Sequence, residues 1–197
     1  MSAQVATGDV PDYPLRLDVE YPEQLNRWLV LVKWLLAIPH ILIVYALVNV
    51  ASIIHLIAFF AILFTTKYPQ SLFEFVVNIY RWQANLYAYL GLMRDEYPPF
   101  SWEPGQYPVT FEIDYPQELN RWMPLVKWLL AFPHYIALFF LGIAALVVWL
   151  IAFFAILFTA TYPRGMFDFI VGVLRWGKRV NAYVYFMRDE YPPFSLK

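Results

Sequence analysis

The stretch of sequence that decides the fold is WLLAIPHILIVYALVNVASIIHLIAFFAILFTT, residues 34–66, which contains no Asp, Glu, Lys or Arg. A second stretch of the same kind covers residues 128–163. Uninterrupted apolar runs longer than about 18 residues are typical of membrane-spanning helices. A straight helix through residues 34–66 would be roughly 50 Å long, against a hydrocarbon core of about 30 Å. We therefore expect an integral membrane protein.

Both apolar stretches belong to one repeated unit. Residues 13–101 align with residues 107–195 without a gap, at a constant offset of 94 (107 minus 13). The best-matched blocks are YPEQLNRW with YPQELNRW, LVKWLLAIPH with LVKWLLAFPH, AILFTTKYP with AILFTATYP, and MRDEYPPFS in both copies. A fixed internal period indicates duplication of a structural unit. We divide the chain into an N-terminal tail (1–12), membrane repeat 1 (13–101), a linker (102–106) and membrane repeat 2 (107–197).

The position of the basic residues predicts how often each repeat crosses the membrane. All Lys and Arg lie outside the two apolar stretches. If each repeat forms a two-span hairpin, every basic residue lies on one side, in agreement with the excess of Lys and Arg on the cytoplasmic side of membrane proteins. We therefore predict four spans, with turns near Asn49 and Gly142. The N- and C-termini are then cytoplasmic in a bacterial inner membrane, and the polar opening residues predict no cleaved signal peptide.

Two shorter elements complete each repeat. Apolar residues alternate with polar ones at residues 15–19 and again at residues 109–113, which predicts short strands that are candidates to pair with each other. After Pro69 and Pro163, one polar stripe runs along a helix typical of the membrane interface, with a third full span as the alternative. The predicted fold class is all-α integral membrane: two tandem repeats, each with a short N-terminal strand, a two-span helical hairpin and an interfacial amphipathic helix.

Polar residues recur every seven positions near the start of each apolar stretch. They are Asn26, Lys33 and His40 in repeat 1, and Asn120, Lys127 and His134 in repeat 2. Seven residues bring a helix back to nearly the same face, so each trio is predicted to form one stripe. Ionisable residues at membrane depth are candidates for function, but a Lys near a helix end can extend its ammonium group to the interface. We interpret the trios as helix-packing stripes, with a pore lining for protons or ions as the alternative.

The two repeats differ at a few polar positions. His55 is not repeated, because Trp149 occupies its position in repeat 2, and a lone His of this kind is more often a hydrogen-bond partner between helices than a metal ligand. Repeat 2 also carries additional basic residues after its apolar stretch. We expect contacts with anionic lipid headgroups from Arg81 in repeat 1 and from Arg175, Lys178 and Arg179 in repeat 2.

Composition argues against several classes of function. Hydrophobic residues make up 61% of the chain and charged residues 15%, whereas soluble domains carry roughly 25% charged residues. The net charge of −1 argues against a nucleic-acid partner. The chain has no Cys and only three His, which argues against a metal site. It contains no nucleotide-binding, hydrolase or metalloprotease motif, so we predict no enzyme activity and no cofactor.

The repeated blocks also resemble a known family. The combination of YPEQLNRW, LVKWLLAIPH, AILFTTKYP and RDEYPPF, with its second copy, is similar to a bacterial family of membrane domains of unknown function. The resemblance covers nearly the whole chain from Tyr13 onward. It implies a multi-helix membrane protein and supplies no activity, substrate or catalytic residue.

Two hypotheses of function follow from these observations. The first is a non-enzymatic membrane scaffold or accessory subunit that forms a homo-oligomer or joins a larger membrane complex and binds anionic lipid headgroups. It rests on the repeated helices, the aromatic residues that flank them and the absence of reactive groups. The alternative is an oligomeric channel or transporter for ions or small solutes, lined by the Asn–Lys–His stripes, because tandem duplication is common in transporters.

Overall fold

The structure, a computed structural model, describes residues 13–197, and the predicted tail (1–12) lies outside the described residues. Repeat 1 contains strand β1 (Leu15–Val19) and helices α1 (Leu29–Leu36), α2 (Ile38–Thr65) and α3 (Gln70–Leu90). Repeat 2 contains β2 (Val109–Ile113), α4 (Met123–Leu130), α5 (Phe132–Thr159) and α6 (Arg164–Val184). Corresponding elements begin 94 residues apart (109 minus 15), so the duplication in the sequence is also a duplication of structure.

The two predicted strands are confirmed, and they pair with each other across the repeats. β1 and β2 form an antiparallel sheet in which Leu15 lies opposite Ile113. Its central pair, Leu17 and Phe111, consists of equivalent residues of the two repeats (111 minus 17 is 94). The register is therefore symmetric about this pair, as a two-fold axis requires. The chain has the symmetry of a homodimer whose two copies are fused.

The predicted two-span hairpin is wrong, because each apolar stretch contains one long continuous helix. α2 runs for 28 residues through Asn49, and α5 runs for 28 residues through Gly142. The side-chain amide of Asn49 donates to the carbonyl of Tyr45 on its own helix (2.7 Å), so this polar residue does not need a turn. By length and composition, α2 and α5 are the two helices among the described residues that could cross a membrane, in place of the four predicted spans.

The interruption in each apolar stretch lies near its start rather than its middle. α1 ends at Leu36, and Ala37 joins it to α2. Pro39 lies in the first turn of α2, where a residue without a backbone N–H removes no helical hydrogen bond. Ala131 and Pro133 occupy the same places between α4 and α5. Each of these prolines therefore marks the start of a new helix.

The described elements form three layers. The sheet packs on α3 and α6, with α3 against β2 and α6 against β1. α3 packs in turn on α2, and α6 on α5. In addition, α1 contacts α5 and α4 contacts α2, so the outer helices of each repeat touch those of the other. The core lies between the layers, and its fully buried side chains include Tyr68, Phe73, Phe111 and Tyr162.

The outermost layer, formed by α1, α2, α4 and α5, is called here the apolar layer. Only 28% of the most apolar window of α2 and 6% of that of α5 is buried inside the protein. Large side chains on the outward face, such as Tyr45, Phe64 and Phe158, are at least 70% exposed. A core helix of a soluble protein would be mostly buried. The apolar layer therefore presents a continuous apolar surface of the kind that marks an interaction with lipid or protein.

Candidate functional site

In each repeat, a buried lysine pairs with a half-buried aspartate and ties the short helix to the segment after the third helix. Lys33 of α1 is 1% exposed, and its Nζ lies 2.8 Å from Asp95 Oδ1. The same Nζ donates to the carbonyl of Arg94 (2.7 Å). The backbone N–H of Asn26 donates to Oδ2 of Asp95. The buried ammonium group is thus matched by an opposite charge and by a carbonyl, as a buried charge requires.

Repeat 2 reproduces this arrangement closely. Lys127 Nζ lies 2.7 Å from Asp189 Oδ1 and donates to the carbonyl of Arg188 at 2.7 Å. The backbone N–H of Asn120 donates to Asp189 Oδ2. We call these two sites the Lys33 clasp and the Lys127 clasp. Because both clasps have the same partners, they belong to the repeated architecture rather than to a feature that one repeat acquired alone.

Asn26 also stabilises the start of α1. Its Oδ1 accepts hydrogen bonds from the backbone N–H groups of Trp28 (2.9 Å) and Leu29 (3.3 Å). Such a side-chain acceptor satisfies N–H groups that have no partner inside the helix. Asn26 therefore lies ahead of α1, while Lys33 lies on α1 and His40 on α2. The predicted stripe does not run along one continuous helix.

His40 and its equivalent in repeat 2 hold the last segment of each repeat against the helices. Trp82 Nε1 donates to His40 Nδ1 (3.0 Å), and the ring of Phe100 stacks on the imidazole with ring centroids 4.1 Å apart. Because Nδ1 accepts this bond, we assign the ring proton to Nε2. The equivalent residues of repeat 2 are His134, Trp176 and Phe194, with corresponding distances of 3.0 Å and 4.0 Å.

These placements favour the helix-packing interpretation of the two polar trios. Lys33 and His40 are 1% and 0% exposed, and Lys127 and His134 have the same values. All four side chains contact the segment that follows α3 or α6 in their own repeat. A pore lining would instead require side chains that face an open passage.

The arginines expected at lipid headgroups brace the sheet. Arg81 Nε, on α3, donates to the carbonyl of Phe111 in β2 (3.2 Å). Arg175 Nε, at the equivalent position of α6, donates to the carbonyl of Leu17 in β1 (2.8 Å). Both strands are therefore fixed to the middle layer at their central residues. Guanidinium groups that already bind carbonyls leave fewer donors for a headgroup.

The other two predicted headgroup ligands are buried. Arg179 is 7% exposed, and its Nη1 donates to the carbonyl of Lys197 (2.6 Å). Lys178 is 5% exposed, and its Nζ donates to Oε1 of Gln83 on α3. The buried position of both side chains does not suit the expected contact with a lipid surface.

One polar cluster between the repeats has no symmetric counterpart. His55 Nε2 on α2 lies 2.8 Å from the Tyr80 hydroxyl on α3, and Nδ1 lies 3.3 Å from the Tyr68 hydroxyl. The ring of Tyr185, from repeat 2, stacks on the imidazole with centroids 4.5 Å apart. Lys178 is adjacent, with its Nζ 4.9 Å from the centroid of the Tyr80 ring. His55 therefore joins helices by hydrogen bonds, as the sequence suggested.

Lys178 has an unusual electrostatic environment. Its Nζ lies over the rings of Tyr80, Tyr87 and Phe111, at 4.9 to 5.7 Å from their centroids. The uncharged Gln83 accepts its hydrogen bond, and within residues 13–197 it has no carboxylate in an ion pair. Burial lowers the pKa of Lys178 from 10.5 to about 7, because removing the ammonium group from water disfavours its charged form.

Comparison with known proteins places the repeats in a family. A family model described as a domain of unknown function, DUF4389, matches residues 27–101 and residues 121–195. The chain belongs to the DUF4389 family. The two matched ranges are themselves 94 residues apart (121 minus 27), so the DUF4389 domain is the unit that is duplicated. Each match begins after the strand of its repeat. It includes both the lysine and the aspartate of the clasp, together with the histidine that follows the lysine. No curated protein and no solved structure matches the chain.

Sequence reasoning missed the cluster around Lys178, although a signal was present. Three of the polarity differences between the two DUF4389 domains fall together in space. The differing pairs at this site are His55 and Trp149, Tyr80 and Leu174, and Ala84 and Lys178. A search for polarity differences between aligned repeats would have found these positions, but only the tertiary structure places them in contact.

The side chains at these sites form ion pairs and hydrogen bonds and pack against each other. The carboxylates of Asp95 and Asp189 are each held by a lysine and a backbone N–H. Throughout the part of the chain that the structure describes, no group of three or more His, Asp or Glu side chains is placed to hold a metal ion. Both clasps can fix helices in position, and the His55 cluster can join the two DUF4389 domains.

Proposed function

We propose that this DUF4389 protein is a non-enzymatic membrane scaffold or accessory subunit. The observation that carries the proposal is the outward face of α2 and α5, of whose most apolar windows only 28% and 6% is buried. Apolar surface costs roughly 25 cal/mol for each Å² exposed to water. Such a surface requires a lipid or protein environment, and a helix of 28 residues without a charge is suited to lipid.

The polar interior supports a structural role. In both DUF4389 domains the clasp lysines and the histidines next to them bind protein groups, which holds the apolar layer rigidly on the middle layer. The channel alternative gains no comparable support, because Lys33, His40, Lys127 and His134 are all 1% exposed or less. The partner of the scaffold is a second copy of the chain or a larger membrane complex.

Extraction from membranes into native lipid nanodiscs, followed by mass determination, tests this proposal. We expect the chain in the membrane fraction after an alkaline carbonate wash. We also expect its particles to have a defined mass, set by a homo-oligomer or by one stoichiometric partner. Recovery of a monomer in the soluble fraction would overturn the proposal.

A pair of substitutions separates the scaffold from the channel. Lys33→Met together with Lys127→Met removes both clasp charges. A scaffold should lose stability or assembly and have no conductance in planar bilayers before or after the change. A channel should conduct, and its conductance or selectivity should change with these substitutions.

A further inference from the structure

The orientation of the apolar layer can be inferred from the position of the sheet. The outward face of the sheet is polar, with exposed side chains at Arg16, Asp18, Thr110 and Glu112. Arg81, near the middle of α3, binds the carbonyl of Phe111 in the central pair of the sheet. α3 also packs along α2, where Tyr80 meets His55. The polar sheet therefore lies one helix layer away from the central part of α2.

Both ends of the long helices lie beside the segments that leave the sheet. After β2, the N–H of Leu119 donates to the carbonyl of Thr66 at the end of α2 (2.8 Å). At the other end, the Lys33 clasp contains Arg94, whose Nη1 donates to the carbonyl of Glu20, the residue after β1 (3.0 Å). The combined helix α1–α2 thus extends from one end of the sheet to the other.

This geometry distinguishes two orientations of the pseudo-two-fold axis. If α2 and α5 crossed the bilayer, the axis would lie in the membrane plane and the charged sheet would be at the depth of the bilayer centre, where ionised side chains are strongly disfavoured. If the axis lies along the membrane normal, the sheet is in water and the apolar layer alone is in lipid. The second arrangement therefore gives both the polar sheet and the apolar layer a favourable environment.

We propose that the apolar layer is embedded in a single leaflet, with α1, α2, α4 and α5 lying in the plane of the membrane and the sheet facing water. This inference deepens the proposed membrane function and rests on it. A helix with its side chains is about 10–12 Å across, and one leaflet provides about half of the hydrocarbon thickness of roughly 30 Å. One layer of helices therefore fits one leaflet, whereas α2 alone, at about 42 Å, exceeds the thickness of the whole hydrocarbon core.

The polar groups on the outward face fit a hydrocarbon environment. The side chains of Asn49, Ser52 and Thr65 each donate to the carbonyl four residues earlier on α2, at 2.7 to 3.0 Å. The indole N–H groups of Trp34 and Trp128 donate to the carbonyl three residues earlier, at 2.8 and 2.9 Å. Lipid tails supply no hydrogen-bond partners, so groups that face them must be satisfied within the helix.

Exposed basic residues surround the apolar layer. Arg27 precedes α1 and Lys67 follows α2, while Arg121 precedes α4 and Arg164 begins α6 directly after α5. In the proposed orientation all four lie at the level of the headgroups of one leaflet, where basic residues are favoured by anionic lipids. A spanning orientation would place Arg27 and Lys67 on opposite sides of the membrane.

The absence of Cys from the chain allows a direct test. The double variant Arg27→Cys with Lys67→Cys is reconstituted into sealed vesicles of phosphatidylcholine and phosphatidylglycerol, treated with a membrane-impermeant maleimide and weighed as intact protein. We expect molecules with zero or two labels, because both sites lie on the same side. Molecules with one label would overturn the in-plane orientation. Labelling after detergent permeabilisation should give two labels and serves as the control for reactivity.

A second pair, Arg27→Cys with Arg121→Cys, tests the axis itself. These positions are related by the pseudo-two-fold, so an axis along the membrane normal again gives zero or two labels. An axis in the membrane plane gives one label per molecule. Because labels are counted within single molecules, the result does not depend on how the protein is distributed between the two vesicle orientations.

Insertion depth separates the embedded layer from binding at the surface. Ile53 on the outward face of α2 is 62% exposed, and Thr110 lies on the exposed face of the sheet. A bimane fluorophore at Ile53→Cys should be quenched by lipids with brominated acyl chains, and one at Thr110→Cys should not. Flotation with vesicles but no quenching at either site would overturn the embedding. Failure to float with vesicles would overturn the membrane function as well, whereas single labelling of floating protein would overturn the orientation alone.

Discussion

At the scale of single residues, two kinds of buried lysine determine different properties of the fold. Lys33 and Lys127 each have a carboxylate within 2.8 Å and a backbone carbonyl, so their charges are compensated. Lys178 is equally buried but faces aromatic rings and an amide oxygen. The charge of Lys178, which among residues 13–197 has no opposite charge beside it, itself destabilises the fold. In a clasp, by contrast, the fold is destabilised when one member of the pair is removed, because the other member keeps its charge without a partner.

Substitution of one clasp lysine should therefore weaken the fold. We expect Lys33→Met to lower the free energy of unfolding by about 2–4 kcal/mol, because Asp95 keeps its charge without a partner. The additional change Asp95→Leu should restore part of the loss. Thermal unfolding in detergent measures the effect, and Lys127→Met provides a matched comparison in repeat 2. An unchanged melting temperature in Lys33→Met would contradict the assigned ion pair.

Replacement of Lys178 should have the opposite effect and increase the stability of the fold. Its pKa is lowered from 10.5 to about 7 in the folded protein. Between these values, a fall in pH protonates the unfolded chain but not the folded one. The stability should therefore decrease as the pH falls from 10.5 towards 7, and should level off below 7.

The variant Lys178→Met should lose this dependence on pH and should be more stable at pH 7 by about 1–4 kcal/mol. The measurement is the melting temperature of both proteins in the same detergent at several pH values. Equal slopes for the two proteins between pH 7 and 10.5 would show that another group titrates.

At the scale of secondary structure, the continuity of α2 and α5 separates this fold from a four-span protein. Each long helix ends at a residue with positive φ, Thr66 (61°) and Ala160 (60°), whose N–H groups donate to Ile62 and Ile156. Neither residue is the Gly that usually ends a helix in this conformation. The end of each helix is fixed instead by contacts with the other repeat, such as the bond from Leu119 to Thr66.

Gly142 provides a test of helix continuity. It lies inside α5, and a Cβ added to it would have no atom within 4 Å. Because Ala favours a helix over Gly, we expect Gly142→Ala to stabilise the protein by about 0.5–1 kcal/mol. Gly142→Pro should destabilise it by about 3 kcal/mol. Thermal unfolding compares the two variants, and a hairpin turn at this position would tolerate the proline at least as well as the alanine.

At the scale of the whole molecule, the two DUF4389 domains depend on each other. The sheet takes one strand from each repeat, α1 contacts α5, and α2 contacts α4. Trp149 of α5 also donates from its indole N–H to the carbonyl of Leu90 at the end of α3 (3.1 Å). A two-stranded ribbon is marginal by itself, so its stability comes from the helices of both repeats.

Cleavage of the linker tests this dependence. Residues 103–106 of the linker are exposed, so a protease site inserted beside Gly105 should leave the fold intact, with Gly105 itself kept because its φ of 78° favours glycine. We expect the two halves to remain together on gel filtration in detergent after cleavage. Residues 13–101 expressed alone should not fold. Separation of the halves on cleavage would contradict the interlocked arrangement.

Much of the local structure could be predicted from the sequence. The alternation of polar and apolar residues located both strands, and the internal offset of 94 residues located both repeats. The stripe of polar residues after Pro69 and Pro163 correctly predicted a third helix in each repeat. The strands and helices are encoded in short-range patterns, because strand and helix periodicities are set by backbone geometry.

The number of helices in each apolar stretch could not be predicted from local patterns of residues. The charge distribution favoured a hairpin because it placed all basic residues on one side. In the proposed in-plane orientation the basic residues also lie on one side, because both ends of α1–α2 lie beside segments that leave the sheet. The partners of the basic residues were also unreadable, because Arg81 and Arg175 bind carbonyls of strands that are distant in the sequence.

Residue type and spacing were sufficient to predict the duplication, the apolar character of the two long stretches and the positions of the strands. The tertiary structure was needed to show that each apolar stretch contains one long continuous helix, that the clasp lysines pair with Asp95 and Asp189, and that Lys178 contacts aromatic rings and an amide oxygen. These properties depend on which side chains and carbonyls meet across distant parts of the chain. Packing fixes such contacts, and no local pattern of residues records them.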